Sequence, residues 1–119
     1  FAITHGINPV LIFSSGSLFH SQQKLKLPVS RMVITKLKKY PDLAGDTTGC
    51  GDNFAGGMIA SLAMQLQTNS ASSPDIIQAA RWGIASGGFA CFYIGGTWFE
   101  NKNGEKFQKI LPIYNNLEK

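Results

Sequence analysis

The chain has 119 residues and a mass of 12.9 kDa, enough for one modest domain, and its 44% hydrophobic and 15% charged residues exclude a disordered chain. A formal charge of +4 raises nucleic acid as a partner, but no aromatics interleave with the cations to stack bases, so a solvated basic face is expected and no nucleic acid. Neither a run of about eighteen apolar residues nor a signal-like start is present, so no membrane is expected, and cytoplasmic is the default location.

In chain order, Phe1–Thr4 and Val10–Ser14 are short apolar runs separated by Gly6-Ile7-Asn8-Pro9, a turn composition that predicts a hairpin. Ser17–His20 and Lys24–Leu27 are expected as further strands, and Met32-Val33-Ile34-Thr35 is another β-branched run. Lys24, Lys26, Arg31, Lys36, Lys38 and Lys39 crowd the stretch around it. Tyr40-Pro41-Asp42-Leu43-Ala44-Gly45 breaks regular structure. A first helix is predicted over about Gly51–Gln67, a polar loop over Gln67–Ser73, and a second helix starting at Ser73-Pro74-Asp75. That second helix carries Ile76, Ile77, Ala80, Ile84 and Gly87-Gly88, an apolar face with small residues for close approach of a neighbour. Gly95-Gly96 ends the run, Asn101-Lys102-Asn103-Gly104 makes a turn, and Phe107–Leu117 is a short terminal helix interrupted or begun at Pro112. Met32, Met58 and Met64 are expected as core filler.

The stretch Asp46-Thr47-Thr48-Gly49-Cys50-Gly51-Asp52-Asn53-Phe54-Ala55-Gly56-Gly57 is the most informative. It sets two glycines and an acid where a loop turns into a helix, at the end where backbone N–H groups are unpaired and the dipole is positive. The N–H groups of Gly49, Cys50, Gly51 and Asp52 are therefore candidates for an anion hole. Asp52 falls in the first helical turn, where a carboxylate has a plain capping role and also a chemical one, accepting a substrate proton. A Walker A loop is excluded because no Lys-Ser/Thr follows a glycine at the required spacing, and the dinucleotide fingerprint lacks its third glycine, since Phe54 stands there. Cys50 and Cys91 have no metal-ligand spacing and are expected as reduced thiols rather than a disulfide. The helix-end setting of Cys50 favours a thiolate, whereas filling a small slot is its simpler role.

The pattern resembles the signature Asp-Thr-x-Gly-Ala-Gly-Asp-x-Phe-x-Gly-Gly of the ribokinase-like (PfkB) carbohydrate kinases at every fixed position except Cys50, which replaces alanine. Phe1-Ala2-Ile3-Thr4-His5-Gly6 followed by Val10-Leu11-Ile12-Phe13 is similar to the family's strand, Thr-x-Gly turn and next strand. Ala79–Gly88 resembles the small-residue helix after the signature, and Gly95-Gly96 the turn that follows it.

The resemblance implies an α/β fold, with residues 1–119 as the carboxyl-terminal part of a single ribokinase-like, doubly wound α/β sandwich. Because the chain begins at Phe1 inside an apolar run, the lid and most of the acceptor pocket are expected to precede it. The implied activity is ATP-dependent transfer of the γ-phosphate to a sugar hydroxyl, with Asp52 as general base and Gly49, Cys50 and Gly51 as the anion hole. Thr4, Gly6, Gly51, Asp52 and Ile84 are expected at the nucleotide. Mg2+ accompanies the ATP, and K+ is implied at Asp46 and the backbone carbonyls of Thr48, Ala90, Tyr93 and Gly95, although Phe99 stands where the family often has a hydroxyl residue. The implied partners are a small-molecule sugar and, in a homodimer, a second copy of the chain. A nucleoside kinase, a hydroxymethylpyrimidine-type kinase and a non-catalytic nucleotide-binding module are the alternatives.

Overall fold

The computed structural model describes residues 1–68 and 73–117. The first three strands follow from alternation and turn chemistry. β1 (Ala2–His5) and β2 (Asn8–Ser14) form the expected hairpin, closed at Gly6-Ile7 with Gly6 at φ 55°, where a side chain would be strained. β3 (Gln22–Leu27) pairs with the other side of β2, in the register Val10↔Leu27 and Ile12↔Leu25, giving an antiparallel sheet of order β1-β2-β3. On β2, Val10, Ile12 and Ser14 alternate into the interior, Ile12 with no exposed surface, a burial that contributes about 2 kcal/mol.

Among the described residues four α-helices complete a mixed α/β domain: α1 (Arg31–Lys39), α2 (Cys50–Thr68), α3 (Ile76–Ala90) and α4 (Glu105–Asn115). The sheet face and two helices enclose one core, in which Val10, Ile12 and Leu27 meet Phe54, Ile76, Ala80 and Ile84. A second core joins α1, α3 and α4 through Val33, Ala85, Phe89, Ile110 and Ile113. α3 serves both cores and is the central element. Its amino end is set by Asp75, whose carboxylate accepts from the Ile77 and Gln78 N–H groups at 2.8 and 3.2 Å. The Gln65 side chain clasps the Asp75 backbone from both sides, accepting from its N–H at 2.7 Å and donating to its carbonyl at 3.1 Å, which joins the end of α2 to the start of α3. The two helices approach closely because Gly57 lacks a side chain: a Cβ there would lie 2.6 Å from the Trp82 carbonyl oxygen.

Several expectations need correction. Met32–Thr35 is helical, not extended. Ser30 caps α1, accepting from the Val33 N–H at 3.3 Å, and Val33 and Leu37, four apart, bring the helix onto the Phe89 core. Ser17–His20 is not a strand, and Ser17, Leu18 and Phe19 lie in bends. Gln67 and Thr68 still belong to α2, and residues 69–72 of the expected polar loop lie outside the described residues. α3 ends at Ala90, ahead of Gly95-Gly96. α4 spans Glu105–Asn115 and contains Pro112, which removes only the hydrogen bond that its own nitrogen would make to Gln108. Met32 and Met64 are exposed, and only Met58 packs against a core. No parallel strand pair forms among the described residues, so these strands do not themselves build the doubly wound sheet. No helix among the described residues is long and apolar enough to cross a membrane. Lys24 and Lys26 stand exposed on the edge strand β3, where charge discourages edge pairing. Lys36, Lys38 and Lys39 sit in the last turn of α1, opposing its dipole.

Candidate functional site

Asp46 begins the site with an Asx turn, in which its Oδ1 accepts from the Thr48 N–H at 3.0 Å. The chain then reverses at Gly49, whose φ of 79° suits glycine. A Cβ at Gly49 would also lie 2.5 Å from the Gly96 Cα, so the two glycine turns stack backbone on backbone. α2 starts at Cys50. The Cys50 N–H is engaged with the Thr47 carbonyl at 3.2 Å, and the Asn53 N–H closes the first helical bond to Gly49 at 2.8 Å. The N–H groups of Gly49, Gly51 and Asp52 make no hydrogen bond among the described residues, which leaves three donors at the positive end of a 19-residue helix. Of the four N–H groups expected to form the anion hole, those of Gly49, Gly51 and Asp52 are free and that of Cys50 is engaged with Thr47.

Sequence reasoning passed over Asn53, which organises this corner. Its side chain is buried at 8% exposure and makes four hydrogen bonds. Nδ2 donates to the Gly49 carbonyl at 2.9 Å and the Gly96 carbonyl at 3.0 Å. Oδ1 accepts from the Tyr93 hydroxyl at 3.2 Å and from Lys106 Nζ at 2.9 Å. One amide thereby ties the turn before α2 to the turn after α3 and to the first turn of α4. The signal in the sequence was a polar side chain between Asp52 and Phe54 in the first turn of the helix, too local a cue to reveal partners as distant as Lys106. Burial raises the Tyr93 hydroxyl above its ordinary pKa, against the lowering effect of its bond to Asn53.

The residues expected at a nucleotide are divided between two cavities. Thr4, Gly6, Gly51 and Ile84, distant in sequence, line one cavity of about 350 Å³ whose remaining wall is largely aliphatic, including Val29 and Val33. Asp52 is exposed and lines a second cavity of about 440 Å³ together with Asn53, Trp82 and Lys106. Because Gly51 borders the first and Asp52 the second, the amino end of α2 stands between the two.

The proposed cation ligands come partly together. The Asp46 N–H donates to the Tyr93 carbonyl at 3.3 Å, the neighbouring Gly45 N–H to the Cys91 carbonyl at 2.8 Å, and the Tyr93 N–H to the Ala90 carbonyl at 3.5 Å. The Asp46 backbone therefore lies along the 90–93 turn, whose Ala90, Cys91 and Tyr93 carbonyls each accept an N–H. Carboxylate and carbonyl oxygens are the donor type that alkali and alkaline-earth cations take. Gly95 lies on the same turn at φ 87°, and Phe99 is 85% exposed and offers no oxygen from its side chain. No group of three or more His, Cys, Asp or Glu side chains is arranged as a metal site among the described residues.

Cys50 and Cys91 are both free thiols. Burial first, then the hydrogen bond and the charge interaction with Cys91, and finally Asp46, push the Cys50 thiol up to about 12. The thiolate that a helix-end setting would favour is thus disfavoured in the fold.

Scans against family models, curated proteins and solved structures find no match to this chain.

Proposed function

We propose that the chain carries the phosphate-binding and catalytic part of an ATP-dependent small-molecule kinase of the ribokinase-like type. The observation that supports this reading most is the convergence of Thr4, Gly6 and Ile84 on one cavity with Gly51, beside three free N–H donors at the start of α2. An aliphatic slot suits a purine, and preorganised donors at a helix terminus suit the phosphates attached to it.

In this reading the nucleotide lies in the first cavity with its terminal phosphate at the Gly49–Asp52 backbone. Phosphoryl transfer asks the protein for in-line positioning, neutralised charge and a proton acceptor. The N–H groups of Gly49, Gly51 and Asp52 stabilise charge on the transferring phosphoryl oxygens. Asp52, exposed on the second cavity, accepts the proton of the acceptor hydroxyl as that oxygen attacks. Asn53 holds the turn in place. Magnesium would be held by the nucleotide phosphates, in keeping with its preference for phosphate oxygens and water over all-protein cages. Asp46 with the Thr48, Ala90, Tyr93 and Gly95 carbonyls would hold a monovalent cation that offsets phosphate charge. A sugar is the proposed acceptor.

The test is ATP consumption by the full-length protein with a panel of hexoses, pentoses and nucleosides, comparing the wild type with Asp52→Asn. One acceptor should support turnover, and the substitution should reduce it by about 10²- to 10⁴-fold, the usual contribution of a general base, while nucleotide binding persists. Undiminished turnover in the variant would remove Asp52 from the mechanism. Nucleotide binding without turnover on any acceptor would favour a binding module.

A further inference from the structure

The chain has two cysteines, and folding brings them into contact. Cys50 opens α2 and Cys91 caps α3. They are 41 positions apart in sequence, yet their Sγ atoms are 3.6 Å apart. Each thiol is also directed at a backbone carbonyl, Cys50 at Asp46 over 4.0 Å and Cys91 at Gly87 over 3.6 Å. Both residues line the 350 Å³ cavity alongside Gly51 and Ile84. Cys50 is also the one fixed position at which this chain departs from the signature it resembles, and the residue it meets there is the other cysteine.

We propose that Cys50 and Cys91 form a redox-active dithiol, which hydroperoxides oxidise to an intramolecular disulfide that distorts the anion-binding end of the cavity. In the first step the Cys91 sulfur attacks the terminal peroxide oxygen and gives up its proton. The O–O bond breaks, Cys91 becomes a sulfenic acid, and the other oxygen leaves as water or an alcohol after taking up a proton. In the second step the Cys50 sulfur attacks the sulfenic sulfur, the S–O bond breaks, and the Cys50 proton leaves with the hydroxide as water. Overall two thiols are oxidised and one peroxide is reduced.

The geometry sets the consequence. A disulfide needs about 2.05 Å between sulfurs, so the pair must close by about 1.5 Å. Cys50 lies between Gly49 and Gly51, and its neighbours supply two of the free N–H donors. Drawing Cys50 toward Cys91 therefore shifts donors that are held on the other side by the Gly49–Gly96 contact. The bridge stands independently of the kinase reading, whereas its effect on nucleotide rests on it.

The experiment treats the full chain with hydrogen peroxide, blocks residual thiols with N-ethylmaleimide and measures intact mass, followed by a tryptic map under non-reducing conditions. The expected product is two hydrogen atoms lighter, takes up no maleimide, joins peptide 40–81 to peptide 82–102, and reverts with dithiothreitol. Titration with a non-hydrolysable ATP analogue should show the oxidised form binding about tenfold or more weakly, the loss of one charge-assisted hydrogen bond. Cys91→Ser and Cys50→Ala, each compared with its own reduced form, should form no bridge and show no such change. Independent oxygen adducts on the two cysteines, or a cross-link between chains, would overturn the dithiol. A bridged form that binds the analogue as well as the reduced one would overturn the distortion. If neither form binds nucleotide while the bridge forms, the dithiol stands and the nucleotide reading fails.

Discussion

Replacing Asn53 by alanine removes the amide that joins three segments, and its cost can be worked from the four bonds involved. Of the two carbonyls it serves, Gly49 keeps the Asn53 backbone N–H at 2.8 Å, so only the Gly96 carbonyl is left without a donor. The Tyr93 hydroxyl and Lys106 ammonium are half-buried and regain water in part. Counting about 1 kcal/mol for each neutral bond and somewhat more for the one from Lys106, then discounting for rehydration, Asn53→Ala should destabilise the fold by about 3 kcal/mol. For a domain of this size that lowers the melting temperature by about 12 °C. Thermal and urea unfolding of the full chain, followed by circular dichroism, measures both, and the urea slope should stay unchanged. Lys106→Ala and the double variant complete a cycle whose coupling should be about 1 kcal/mol. A loss below about 1 kcal/mol in Asn53→Ala, or strict additivity with Lys106→Ala, would refute the view that this amide organises the corner.

Other substitutions test neighbouring steps of the argument. Gly49→Ala puts a side chain at φ 79° and against the Gly96 backbone, so stability should fall by about 2 kcal/mol or more. A variant melting with the wild type would show that the stacked turns yield freely. Asp75→Ala removes the cap of α3 and should cost about 1 kcal/mol in urea unfolding, and an unchanged midpoint would mean that the Gln65 clasp suffices. The Cys50 thiol is raised from 9.0 to about 12 in the fold, so the folded state prefers the protonated group. Its stabilising contribution is complete below pH 9.0 and is lost as pH rises towards about 12. Cys50→Ala should therefore show a shallower alkaline loss of stability than the wild type, and coincident alkaline limbs would contradict the assignment.

The elements legible in the sequence were those whose causes are local. The hairpin at Gly6, the cap at Asp75 and the long helix after Gly51 each depend on residues within a few positions of one another, where turn and capping chemistry act. Met32–Thr35 misled because β-branched residues favour strands only on a pleated, half-buried surface. With Ser30 capping the segment and Val33 and Leu37 facing the Phe89 core, the helix buries more. The same division runs through the site. Glycines flanking an acid at a helix start mark a place for an anion, since backbone N–H groups at that end lack partners whatever the rest of the chain does. That Asn53 reaches Gly96, Tyr93 and Lys106, that Thr4 and Ile84 share a cavity with Gly51 while Asp52 borders another, and that Cys50 touches Cys91 were decided by the tertiary structure alone. Each joins residues tens of positions apart, and such contacts follow from how α3 packs between two cores, which no local periodicity encodes.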